Sequence, residues 1–201
     1  MYKIGVGKRD ITDNRTGLQM QGMADPRQKT KGVALELYAR AFVVEDAGND
    51  IVTGIVVADI WACTKLLKTT VLDMLGAKQI TAFRDANLLI SGTHTHSAPS
   101  VGGMVGWGEA DMMYLETLPA RAAEAAARAH ADLQDVEWRH AEVPCEGIAV
   151  NRETDTGFAL NENFKERMSP DWRPAHPEQT DPTVRVLSAY TNGKLVGLLH
   201  H

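Results

Sequence analysis

Two histidines, His94 and His96, stand one residue apart in the segment Gly92-Thr93-His94-Thr95-His96-Ser97-Ala98-Pro99. In an extended chain, residues two apart point to the same side, so both imidazoles can reach one ion if this segment stays extended. Imidazole nitrogens suit zinc. A zinc ion takes about four ligands, and a catalytic one keeps a position open for water, so at least one protein ligand must come from elsewhere. The pair can also be read as polar surface bonded to nearby carbonyls. Its place directly after a short apolar strand favours a site, because α/β proteins build sites in loops beyond the carboxyl ends of their strands.

Two further side chains belong to this chemistry. Asp59 closes an apolar run and can orient an imidazole from outside the metal's ligands if its strand neighbours the histidine strand; it can equally be a turn acid or a helix cap. Arg152 lies at the mouth of a long polar stretch, where it can hold a substrate oxygen or pair with Asp155. The glycines 102, 103, 106 and 108, interleaved with Val101, Met104, Val105 and Trp107, form either a flexible apolar loop at the site or a plain connection to the next helix.

The elements that must position these residues follow from periodicity. Residues 2–6 read as a strand and 13–32 as a polar loop. Residues 35–45 and 51–60, joined by Asp46-Ala47-Gly48-Asn49-Asp50, read as a hairpin whose second strand is buried on both faces. Residues 65–75 place Leu66, Leu67, Thr70, Val71, Met74 and Leu75 at helical spacing, with Gly76 suited to a left-handed cap. Residues 87–91 form the strand that feeds the histidines. Residues 109–133 are an Ala-rich helix with early acids and late basic residues. Residues 136–150 read as one or two strands and 151–182 as a loop or lid. Residues 184–190 and 195–199 form a hairpin through Asn192-Gly193. The order is α/β: mixed sheet layers flanked by helices, in one domain.

Bulk composition excludes several classes. At 201 residues, 44% hydrophobic and 23% charged, the chain reads as globular rather than disordered, and its net charge of −5 offers no basic stripe for nucleic acid. The two cysteines, Cys63 and Cys145, form no CxxC pair and read as core residues. No apolar run is long enough to cross a membrane and no leader pattern opens the chain, so it reads as cytoplasmic as written; a secreted chain whose leader has been removed would look the same.

The segment Leu89-Ile90-Ser91-Gly92-Thr93-His94-Thr95-His96-Ser97-Ala98-Pro99 resembles the signature of the neutral/alkaline non-lysosomal ceramidases. The resemblance continues through Gly5-Val6-Gly7-Lys8-Arg9-Asp10-Ile11-Thr12, Leu37-Tyr38-Ala39-Arg40-Ala41-Phe42-Val43-Val44, Val57-Ala58-Asp59-Ile60, Asn151-Arg152 and Asp181-Pro182-Thr183-Val184-Arg185-Val186-Leu187 to Gly197. It implies a Zn2+-dependent amidase that splits ceramide into sphingosine and a fatty acid. The implied catalytic domain is N-terminal and α/β, with a β-rich domain after it. By resemblance His94 is a zinc ligand, His96 lies beside the metal and Arg152 helps to hold substrate.

The departures bear on activity. The family's second zinc histidine follows the strand that here ends at Leu199-His200-His201, and its glutamate, tyrosine and catalytic serine lie further on. The resemblance therefore implies that residues 1–201 are part of a catalytic domain, inactive alone, with Ala98 where the signature has glycine. His200 and His201 fall ahead of the missing ligand. A metal-dependent amidohydrolase of another substrate is the alternative hydrolase, although its barrel needs about 250 residues. A non-catalytic domain that binds a lipid or a partner is the alternative outside enzymes. An unfinished sheet would also expose an edge through which the chain self-associates.

Overall fold

The computed structural model describes residues 2–22, 27–105, 108–146, 151 and 176–201. Its contacts divide the chain into two compact units: Met1–Glu137 with Thr191–Gly197, and Trp138–Tyr190 with Leu198–His201.

In the first unit, β1 (Tyr2–Asp10), β2 (Tyr38–Asp46) and β3 (Ile51–Ala58) run antiparallel in sequence order, β4 (Leu88–Gly92) adds to β3 in parallel, and β5 (Gln134–Asp135) pairs with β1. The expected mixed sheet is therefore present. A parallel strand needs a crossover, and α1 (Lys65–Ala77) supplies it. Thr64 caps α1 by accepting the Leu67 N–H at 3.1 Å, while Leu67, Val71 and Leu75 turn inward. The helix runs through Gly76, and the left-handed residue beyond it is Gln79, at φ +61°. This corrects the expected glycine cap.

The second helix, α2 (Met112–Ala131), begins after the N-cap Asp111, whose carboxylate accepts the Tyr114 N–H at 2.9 Å. The early acid is this cap rather than a residue of the first turn, and Arg128 and His130 sit in the last turn. The alanines do more than favour a helix. Ala122, Ala123, Ala125, Ala126 and Ala129 are fully buried, and a Cβ on Gly5 or Gly7 would fall on the carbonyl oxygens of Ala129 and Ala125. Small residues on both sides thus let the helix backbone lie directly on β1.

Expected burial of β3 on both faces does not hold. Gly54, Val56 and Ala58 are buried, whereas Ile51 and Thr53 are exposed and Ile55 and Val57 half-buried. One face of the sheet meets the helices, and the opposite face is only partly covered: Gly197 lies there against Phe42 and Val6. The expected polar loop over 13–32 contains its own pairing, with Gly17 N–H on the Thr30 carbonyl at 2.8 Å and Met20 N–H on Gln28 at 3.0 Å.

Strands β6 (Glu137–Pro144), β7 (Thr183–Thr191) and β8 (Lys194–His200) form a second sheet in that order. The β7–β8 hairpin turns on Asn192 and Gly193, at φ +51° and +75°, the two left-handed residues that an Asn-Gly turn supplies. In the second unit, Arg185 and His201 exchange backbone hydrogen bonds of 2.9 Å. Among the described residues no helix is long and apolar enough to cross a membrane.

Candidate metal centre at the histidine loop

The histidine loop is a continuation of the parallel pair. Beyond Gly92, Thr93 N–H donates to the Ala58 carbonyl at 2.9 Å and His94 N–H to the Ile60 carbonyl at 3.1 Å. Gly92 permits this approach, since a Cβ there would lie 2.7 Å from the Ile60 carbonyl oxygen. The loop is thereby anchored to the carboxyl ends of two neighbouring strands.

The segment does not stay extended. His94 adopts φ +63°, a left-handed conformation that costs a non-glycine residue free energy and collects at functional sites. The imidazoles still meet. The His94 and His96 ring centroids are 5.0 Å apart, with their planes at 69°. His94 is exposed and His96 half-buried.

His94 Nδ1 lies 3.0 Å from the Trp61 carbonyl oxygen. A carbonyl only accepts, so Nδ1 must carry the proton, and a neutral His94 then presents a bare Nε2 lone pair. That is the arrangement of a metal-binding histidine held from behind. The Trp61 ring stands 5.3 Å from that of His94 and adds a packing surface.

Asp59, expected to orient an imidazole, has other partners. Its Oδ2 accepts the Tyr38 N–H at 2.9 Å and Arg40 Nη1 at 2.8 Å. The oxygen that meets His94 comes from Trp61 instead, and the cap of α1 is Thr64. Arg152 lies outside the described residues, as does most of the stretch expected to form a lid. His201 pairs its backbone with Arg185.

Sequence reasoning missed the floor beneath His96. Gly22 sits against that ring, and Gln21, only 1% exposed, bonds through its side chain to Gly102 and Val101. Nothing in a polar, turn-rich segment marks Gln21 as buried. A cavity of about 710 Å³ is lined by Thr95, Ser97 and Pro99 together with Lys29, Lys31 and Leu35. Burial pushes the Cys63 thiol up and holds the Tyr114 phenol well above its usual value. Among the described residues no group of three or more His, Cys, Asp or Glu side chains could surround a metal. His94, with its Nδ1 on the Trp61 carbonyl, fits one ligand position of a zinc site, and His96 stands beside it.

Comparison with known proteins matches residues 2–201 to the family described as neutral/alkaline non-lysosomal ceramidase, N-terminal. The neutral ceramidase of Drosophila melanogaster is 40% identical over 99 residues, covering 49% of this chain and 14% of its own. That of Mycobacterium tuberculosis is 27% identical over 205 residues, covering 100% of this chain and 31% of its own. The crystal structure of the Pseudomonas aeruginosa neutral ceramidase superposes with a TM-score of 0.80 at 27% identity, over 99% of this chain and 31% of that one. A ceramidase complexed with C2 matches with the same TM-score and identity. This chain therefore spans less than a third of the length of these relatives.

Proposed function

Since the chain belongs to the neutral/alkaline non-lysosomal ceramidase family, we propose that it contributes the histidine loop of a zinc-dependent amidase that cleaves ceramide into sphingosine and a fatty acid. The observation that carries this reading is the His94 Nδ1 bond to the Trp61 carbonyl, which leaves Nε2 free to bind metal. A zinc ion held there would supply Lewis-acid polarisation of the amide carbonyl.

The chain's own residues then have separate tasks. His94 would hold the metal through Nε2, with Nδ1 fastened to the Trp61 carbonyl. His96, whose ring lies 5.0 Å away, is placed to donate a hydrogen bond to the carbonyl oxygen as it gains charge. Hydrolysis adds the hydroxyl of water to the acyl carbon and a proton to the sphingosine nitrogen; His96 is the nearby side chain able to carry that proton. Arg152 holds a substrate oxygen by resemblance. The cavity beside Thr95 and Ser97 offers both apolar walls and lysines to an amphiphilic substrate. The remaining metal donors come from outside the described residues.

The test is release of fatty acid from a fluorescent short-chain ceramide, with zinc and with chelator. It compares this chain with a longer polypeptide that continues it with the corresponding downstream region of the Pseudomonas aeruginosa relative. Zinc-dependent release by the longer protein, abolished by His94→Ala, supports the reading; zinc-independent release, or release that survives His94→Ala, removes it. Self-association belongs to the same proposal. Among the described residues the outer edge of β4 pairs with no strand, and Leu89 is 58% exposed. Sedimentation should show concentration-dependent association that Leu89→Lys weakens, and a monomer at every concentration would remove this part.

A further inference from the structure

We infer that Gly22 is a positioning residue for the His96 ring, with Gln21 as the clamp that keeps Gly22 in place; this rests on the reading of the histidine loop as the site. Gly22 has φ +115°, a conformation that L side chains rarely adopt. A Cβ there would lie 2.5 Å from His96 Cγ, 2.7 Å from Nδ1 and 2.8 Å from Cδ2. The ring thus rests on the bare α-carbon, and any side chain would displace it. Gly17 and Gly32 also have positive φ, but a Cβ on either meets nothing within 4 Å. Those two glycines serve the backbone alone, whereas Gly22 serves the backbone and the ring.

The clamp fastens this floor to the loop it supports. Gln21 Nε2 donates to the Gly102 carbonyl at 2.8 Å, and its Oε1 accepts the Val101 N–H at 3.1 Å. Ser100 N–H donates to the Gln19 carbonyl at 2.8 Å. Residues 100–102 lie four to six residues beyond His96, so the segment that carries the ring is bonded to the segment on which it rests. Both ends of the Gln21 amide are used. Glu would lose the donor and Leu both groups, leaving buried backbone partners unpaired. The His96 ring is held between Gly22 and His94 as a result.

A double-mutant cycle tests the inference. Gly22→Ala should lower the melting temperature of this chain at least about twofold more in the parent than in a His96→Ala background, because the second background removes the ring and leaves only backbone strain. Gly17→Ala, the control, should cost the same in both. Equal losses for Gly22→Ala in the two backgrounds would overturn the inference. If Gly22→Ala does not fold, NMR of the parent decides: a nuclear Overhauser contact between Gly22 Hα and the His96 ring, weakened in Gln21→Leu, supports the role, and its absence overturns it. Zinc titration is read separately, on the same variants of the longer polypeptide that supplies the remaining donors. Coupling without zinc uptake keeps the role of Gly22 and removes the metal reading; zinc uptake without coupling does the reverse.

Discussion

Glycine allows close approach in two regions of the first unit, with opposite consequences. Under α2, Gly5 and Gly7 admit a helix backbone into a dry layer of fully buried alanines. At the histidine loop, Gly92 admits the 60–62 backbone and Gly22 admits an imidazole, in a place where His94 is exposed and its backbone left-handed. The first arrangement is apolar and leaves no freedom to move, so it contributes stability. The second is held by hydrogen bonds and carries strain, so it contributes a geometry. The same residue type therefore marks a packing constraint in one region and a site in the other.

The largest expected effect breaks the first region. Gly5→Ala places a Cβ on the Ala129 carbonyl oxygen, a backbone atom that cannot swing aside, and should cost about 3 kcal/mol in urea denaturation. A loss below about 1 kcal/mol would show that α2 can lift away without penalty. His94→Gly should do the opposite to the second region. It relieves a left-handed non-glycine residue and leaves stability within about 1 kcal/mol of the parent, yet in the longer polypeptide that supplies the remaining metal donors it should abolish zinc uptake measured by titration calorimetry. A large loss of stability with metal uptake intact would erase the contrast between the regions.

The smallest effect is electrostatic. Arg15 bonds the carboxylates of Asp13 and Asp111 and holds both below their ordinary value of 3.8. A carboxyl whose folded value is depressed stabilises the fold above its unfolded value and loses that contribution as pH falls through the folded one. Melting temperature should therefore decline as pH drops below about 4, and Asp13→Asn should flatten the decline. An unchanged profile in that variant would show that solvent screens the pair.

Much of the fold was legible because it rests on local patterns. Weak alternation marked β1, an apolar run before the histidines marked β4, helical spacing marked α1, alanine content marked α2, and Asn192-Gly193 marked the last hairpin, each through interactions among near neighbours in sequence. The boundary of α1 was misjudged because Gly76 can stay helical when the next turn closes at Gln79. Half-burial of β3 was misjudged because an apolar run does not say how much of each face is covered.

For the site, the sequence by itself determined that two histidines follow an apolar strand, and the family pattern around them. Tertiary structure decided what holds them. Trp61 meets His94 across a β-strand pair, Gly22 meets His96 from the middle of the stretch between β1 and β2, and Asp59 turns to Arg40 and Tyr38. These contacts join residues distant in sequence that share no periodicity, so only the folded chain brings them together. Gly5 and Gly7 follow the same logic: the spacing makes a strand, while the need for no side chain comes from the helix that lands on it.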